Sequence, residues 1–475
     1  MGIRKRWRFT AVLTLALLIS CTARPISDLS CDRIDISSDP LPNLTVNTYI
    51  DGTPSMAGYV STLDSRYIRT LDAVFNMLAQ TTPATLTGEL SSQPTVNYLR
   101  LGKNNSTGEL AQALSGSQHL QASEPGFYNG SSFPALAVTQ IEAAIESASA
   151  EQPSIIVTDL YQGEQYVNKI VGQIQGKLDS IEQGAVGIIG IRSEFNGTVY
   201  TEARRGTSSF QYNLTSTPSH PFYILLIGRV DEVSFYMNDL QQRLDRLDFQ
   251  AGVEAVLFSP ERLYRSIPVF ERKERADFAS LDPASNLDIP NYRMSYKQTR
   301  INLTDNAVQP LIIERNGDSV QVPFELAIQP IENIFYPDSL GIDFDRTHQS
   351  FDAIKQEFSS RENPSIDQAL TVDNQQLGPD RFSYDLALSP AQFNPPGIYF
   401  FTLDATAQPA NDSSEALLNT WADWSSDSTD SATNTDGSRT HNLDDFIEGL
   451  AKSTTAKMQQ NPIPLGQQCY IVQSS

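Results

Sequence analysis

The segment Asp51-Gly52-Thr53-Pro54-Ser55 places three side-chain oxygens on alternate positions of a tight turn, a spacing able to gather them around a small hard cation. A second carboxylate, Asp159, closes the run Ile155-Ile156-Val157-Thr158, so two apolar segments each end in an acid. Softer metal chemistry is poorly served. With three cysteines and four histidines (His119, His220, His348 and His441), neither a four-cysteine zinc site nor a two-cysteine, two-histidine one fits unless distant residues converge. Both motifs also have a structural reading: Asp-Gly-Thr-Pro-Ser is turn chemistry in its own right, and an aspartate at a strand end can cap the next helix.

The elements that must position these residues are read from apolar periodicity. Val46–Ile50, Val96–Leu101, Ile155–Val157, Ala185–Ile191 and Phe222–Ile227 are apolar runs of strand length, and Val253–Phe258 adds one more. The last three of the first five are nearly continuous, as strands buried on both faces should be. Between them lie helical stripes: Leu71, Val74, Phe75 and Leu78; Val138, Ile141, Ile145 and Ala148, in a helix expected over 134–149; Val167, Ile170, Val171, Ile174 and Leu178; and Val233, Met237, Leu240, Leu244 and Leu247. This alternation predicts an α/β domain over 44–260 with a doubly wound, mostly parallel sheet. In such a sheet the loops at the carboxyl ends of the strands converge, and Asp51 and Asp159 both fall there.

In that setting the residues resemble the von Willebrand factor type A domain. Its metal-ion-dependent adhesion site uses Asp-x-Ser-x-Ser after the first strand, a threonine from a middle loop and an aspartate after the fourth strand. Asp51, Thr53 and Ser55 match the first element, with threonine keeping the hydroxyl, and Asp159 matches the last. The middle element departs from the pattern: Asn129-Gly130-Ser131-Ser132 precedes the expected helix, so Ser131 or Ser132 would supply that hydroxyl. The resemblance covers about 215 residues, and implies Mg2+ or Mn2+ as cofactor and a protein partner whose carboxylate completes the coordination.

Enzyme families with similar turns fit less well. The haloacid dehalogenase phosphatases place an aspartate two positions before the motif's second acid, where this chain has Tyr49. An alkaline-phosphatase-like hydrolase needs several His and Asp metal ligands, and no histidine neighbours Asp159. There is no Gly-x-Ser-x-Gly elbow and no phosphate loop. Binding is favoured over catalysis; the alternatives are a scaffold with a degenerate site and, less so, a metal-dependent hydrolase.

The N-terminus carries an address. Basic residues at Arg4, Lys5, Arg6 and Arg8 precede an apolar run from Phe9 to Ile19, a signal-peptide layout too short to span a bilayer. Leu18-Ile19-Ser20-Cys21 resembles the bacterial lipobox, which implies a signal peptide over 1–20, lipid on Cys21 and a Ser-, Asp- and Pro-rich tether over 21–43. Thr22 in place of aspartate after that cysteine points, by resemblance to Gram-negative lipoproteins, to the outer membrane or cell surface over the inner membrane. If Cys21 carries lipid, Cys31 and Cys469 remain, either as a disulfide or as two buried thiols. A disulfide there closes a very long loop, for which the chain-entropy model gives about 4 to 5 kcal/mol.

Composition sets the outer limits. The chain has 475 residues, too many for one ordinary domain. It is 40% hydrophobic and 19% charged, enough for real cores and too little charge for a mostly disordered chain. Its net charge of −22 repels phosphate backbones, so nucleic acid is not an expected partner, and the membrane is contacted only through the anchor. From 261 to 475 the periodicity shifts toward two, as in Val320–Ile328, Phe382–Leu388 and Ile398–Leu403, predicting a β-rich domain. Within it, about 408–440 reads as a flexible acidic loop carrying Trp421 and Trp424, more suited to anchoring the loop than to binding a ligand, before a short helix at 442–451.

Overall fold

The computed structural model describes Cys31, residues 44–81 and 94–266 apart from 161–163, 204–205 and 250, and residues 292–474 apart from 297–298, 304–307, 314–318, 356, 361–362, 379, 412 and 427–435. The expected leader, Cys21 and nearly all of the tether lie outside the described residues. Among the described residues no helix is long and apolar enough to cross a membrane.

The predicted strands form β1 (Thr45–Asp51), β2 (Thr95–Leu101), β4 (Ser154–Thr158), β5 (Gly184–Ser193), β8 (His220–Arg229) and β9 (Val253–Phe258). A short β3 (Ala111–Leu114) and a hairpin, β6 (Phe195–Ala203) with β7 (Gly206–Leu214), are additional. The helices are α1 (Arg66–Gln80), α2 (Ile141–Ser147), α3 (Glu164–Ser180) and α4 (Val230–Arg246). Seven strands make one sheet in the order β3-β2-β1-β4-β8-β5-β9.

The expected doubly wound, mostly parallel sheet is corrected by the strand directions. Only β1–β2 and β1–β4 pair parallel. The pairings β2–β3, β4–β8, β8–β5 and β5–β9 are antiparallel, so the sheet is mixed. Connectivity is the cause. Strands β5 and β8 are the inner arms of one long hairpin, in register from Gly184 opposite Arg229 to Ser193 opposite His220, whose outer part is the β6–β7 ribbon. A hairpin reverses the chain, whereas a parallel pair needs a crossover.

The continuous apolar runs of β5 and β8 therefore report burial on both faces, which helices supply without any need for parallel pairing. On one face Ile189, Ile224 and Leu226 join Leu71 and Val74 of α1 and Met237 and Leu240 of α4. On the other, Ile188, Leu225 and Ile227 meet Ile170 and Ile174 of α3.

The second half is β-rich. Strands β10 (Val308–Ile313), β12 (Leu340–Asp352), β13 (Glu357–Ser359), β16 (Ile398–Pro409) and β17 (Ile463–Ser474) form a five-stranded sheet in the order β10-β17-β16-β12-β13. A three-stranded sheet orders β11 (Val320–Ala327), β15 (Arg381–Leu388) and β14 (Leu370–Leu377) as β11-β15-β14. Tyr384 of β15 joins the two sheets: its ring lies 5.1 Å from Phe324 and 5.2 Å from Phe344, and its hydroxyl is 3.2 Å from that of Tyr470.

The acidic stretch is more ordered than one flexible loop. It contains helix α5 (Glu415–Trp421), and both tryptophans are buried against the first sheet. A side chain at Gly190 of β5 would lie 3.0 Å from the Trp421 ring and 3.1 Å from that of Trp424, so the absence of one there lets both rings pack close to the strand. Helix α6 runs over the 18 residues Leu443–Gln460, past the expected end at 451, and sets Ile447 and Leu450 into the core that holds α3. A boundary at 260 thus separates the sheets, while α5 and α6 return to cover the first one.

Cys31 and Cys469 are joined by a disulfide spanning 438 residues, which ties the tether to β17. Replacing Cys469 with serine should lower the unfolding free energy by about 2 to 5 kcal/mol, the range for loss of a native disulfide. Denaturant unfolding with and without reductant measures it; identical midpoints would show that the bond adds nothing.

Candidate metal centre

Strand β1 is an interior strand of the sheet, and Asp51 is its last residue, with no exposure to solvent. Its carboxylate accepts four hydrogen bonds. Oδ1 takes the Thr53 amide at 3.0 Å and the Thr53 hydroxyl at 2.7 Å; Oδ2 takes the hydroxyls of Thr139 and Thr158, each at 2.9 Å. Two carboxylate oxygens offer about four acceptor positions, so those of Asp51 are filled.

This geometry orients the hydroxyls. Thr53 and Thr139 each donate their only proton to Asp51, which leaves their oxygen lone pairs for another electrophile. Their Oγ1 atoms lie 3.2 Å apart, and Ser55 Oγ is 3.1 Å from that of Thr53. Three hydroxyl oxygens from two loops thus cluster over one buried carboxylate.

Asp159 follows β4, the parallel neighbour of β1, and is 8% exposed. Leu160 then turns the chain with a φ of 52°. Burial and the like charge of Asp159 raise Asp51 from 3.8 to about 6. Asp51 is also a lesser contributor, after burial and Asp159, to the upward shift of the Tyr59 phenol.

The middle loop differs from expectation. Ser131 and Ser132 are exposed; the Ser131 amide donates to Asn129 Oδ1 at 3.0 Å, and Thr139 supplies the hydroxyl on Asp51 instead. The expected helix over 134–149 hid this residue, because α2 begins only at Ile141. Before it the chain is extended: the Lys103 amide donates to Val138 O at 2.9 Å, the Ala137 amide donates to Lys103 O at 3.0 Å, and Leu136 bridges Asn104. Backbone pairing with 103–104 overrides the helical spacing of Val138 and Ile141.

Arg100, near the end of β2, is a second residue the motifs did not reveal; its signal was a charge inside an otherwise buried strand end. It has no exposure. Its guanidinium donates to the carbonyls of Gly52 at 3.1 Å, Phe127 at 2.6 Å and Pro134 at 2.7 Å, clamping the Asp51 turn to the loop that leads to Thr139. Burial lowers it to about 10, against the opposing pull of Tyr128 and Asp51, so it stays cationic at neutral pH. A side chain at Gly52 would come 2.5 Å from Arg100 Nε, and one at Gly102 2.9 Å from Leu136 and 3.2 Å from Thr53. Glycine at both positions lets these chains approach.

The donor set suits Mg2+ or Mn2+. Hard divalent ions take carboxylate and hydroxyl oxygens; the cluster here has two acids and relies on hydroxyls for the rest, and the described residues hold no group of three or more His, Cys, Asp or Glu that could bind a metal ion. Thr53, Ser55 and Thr139 would hold the ion, with charge from Asp51 and Asp159. Such an ion would offset the repulsion between the two acids.

In chelator, the burial of Asp51, with the like charge of Asp159 adding to it, predicts a pH signature. A carboxyl raised from 3.8 to about 6 binds its proton more tightly in the folded state, so its contribution favours folding at low pH and is lost as pH rises through that window. The unfolding free energy of the wild type relative to Asp51→Asn should fall by about 3 kcal/mol across it. A difference that stays level with pH would show that Asp51 ionises in the fold without cost.

No family model, no curated protein and no solved structure matches this chain.

Proposed function

We propose that the protein binds a protein partner through a divalent cation held at Thr53, Ser55 and Thr139 over Asp51 and Asp159, in the manner of the adhesion site of von Willebrand factor type A domains, and that it does so from a lipid anchor on the cell envelope. The observation that carries this reading is the hydroxyl cluster itself: Thr53 and Thr139 direct both protons onto Asp51, which leaves lone pairs on two oxygens 3.2 Å apart. Three neutral hydroxyls and two charged acids leave coordination positions open on a six-coordinate ion, and a partner's carboxylate is a hard oxygen ligand that fits one of them. Binding is favoured over hydrolysis because the groups at the site are spent on orienting hydroxyls. Asp51 has its acceptor positions filled, and His220, the first residue of β8, is buried and hydrogen-bonded through Nδ1 to the Gly437 carbonyl. The anchor reading rests on Leu18-Ile19-Ser20-Cys21.

Titration with Mg2+ or Mn2+ tests the site directly. At a hundredfold excess over the dissociation constant the folded state should gain about 2.7 kcal/mol. Asp51→Ala and Thr139→Val should each remove most of that gain, and Ser131→Ala should keep it. A melting temperature indifferent to both ions would reject the metal, and retention of the gain in Thr139→Val would move the site elsewhere.

The anchor has its own test. Cys21→Ser should abolish labelling by a radioactive fatty acid and shift the chain out of the detergent phase on phase separation. Unchanged labelling would dismiss the lipid.

A further inference from the structure

A cavity of about 240 Å3 lies between α1 and the end of α4. Arg69, Asp72, Ala73 and Asn76 line it from α1, spaced i, i+3, i+4 and i+7 on one helical face, and Arg243, Arg246 and Leu247 line it from α4. Three of these seven residues are arginines and one is an acid, the reverse of a chain with 34 basic residues against 56 acidic ones. At physiological ionic strength screening confines each charge to roughly 8 Å, so the lining sets the local field. The three guanidinium groups are unequally matched. Arg243 is held by Asp239, with Nε donating to Oδ1 at 2.9 Å and Nη2 to Oδ2 at 3.2 Å. Arg69 is not held in this way: its ion pair with Asp64 is 4.0 Å long, the Asp64 side chain is 82% exposed, and Arg69 Nε is buried with no hydrogen-bond partner. Arg246 is exposed and enters no ion pair among the described residues. The helix dipole accounts for Arg243 and Arg246, which stand in the last turn of α4, where cations are favoured. It does not account for Arg69, which shares the first turn of α1 with Arg66 and no acid. The guanidinium groups of Arg69 and Arg66 lie over the ring of Phe249, at 4.5 Å and 4.8 Å, so packing holds two like charges on one ring.

We propose that this cavity is a binding site for a phosphate group. A guanidinium presents parallel N–H donors in one plane, so three of them carried on two helices can meet the tetrahedral oxygens of phosphate, where a planar carboxylate offers only two. The volume is below the roughly 300 to 1,000 Å3 of sites for drug-sized ligands, and suits phosphate or its small esters. Asn76 adds a carboxamide donor, while Ala73 and Leu247 make part of the lining apolar, as the substituent of an ester requires. These residues are separate from those over Asp51, and the proposal does not depend on a cation there.

Isothermal titration of the full mature chain, in chelator and at fixed ionic strength, tests the site with inorganic phosphate, glycerol 3-phosphate and dihexanoyl phosphatidic acid, a soluble lipid with the same monoester group. Acetate is the control. The expected result is saturable binding of phosphate at one site, with acetate about tenfold weaker or more. Equal affinity for the three phosphates assigns the site to free phosphate and its small esters; tighter binding of the lipid assigns it to a lipid headgroup. Arg69→Gln and Arg246→Gln should each weaken binding about tenfold, the loss of one charged hydrogen-bonding partner. Arg246 is exposed, so its replacement opens no core cavity and keeps the test valid if Arg69→Gln disturbs α1. Asp72→Asn should tighten binding by removing the opposing acid, an effect that a purely structural role for these residues would not produce. No saturable binding of any phosphate, acetate bound as well as phosphate, or an affinity unchanged in both arginine variants overturns the proposal.

Discussion

A carboxylate sealed from water at the end of the interior strand β1 constrains everything around it. Burial alone would favour its neutral form, and Asp159 pushes in the same direction. Four donors answer this, and three of them are threonine hydroxyls arriving from the turn after β1, the loop before α2 and the end of β4. Each threonine must be placed to about the length of a hydrogen bond, so three separate chain segments are held in mutual register by one residue.

That register depends on support from below and from the side. Below, β1 lies between β2 and β4 in the parallel part of the sheet, so the two acid-bearing strand ends emerge side by side. From the side, the buried Arg100 guanidinium binds carbonyls of both loops with charged donors, an interaction stronger than a neutral hydrogen bond and one with a fixed planar geometry. The same cation tempers the field of Asp51. Threonine, arginine and glycine thus divide the work of shaping the turn, while the two aspartates supply its charge.

The antiparallel half of the sheet has a different role. Strands β4, β8, β5 and β9 alternate in direction, yet each is covered on both faces, and part of that cover is supplied by α5 and α6 from the far end of the chain. The chain then finishes in β17, where the disulfide fastens the tether. Folding of the first sheet is therefore linked to the C-terminal third by packing, and Cys31 is linked covalently to β17.

Much of this was legible in the residues. Six strands of the first sheet and the helices α1, α3 and α4 followed from apolar period, because burial on one or two faces leaves a direct mark on composition; Asp51, Thr53 and Ser55 stood out because a turn sets them two residues apart. Strand direction was not legible, since an apolar run reports how many faces are covered and not which way the neighbour runs. Thr139 and Arg100 were not legible either. Thr139 lies 88 residues from the carboxylate it contacts, and the segment just before it, 136–138, pairs with 103–104 against the helical spacing of its neighbours. Local chemistry was written in the sequence, and everything that depended on which distant segments meet was decided by tertiary packing, because backbone hydrogen bonds between remote strands outweigh the weak preferences of any short stretch.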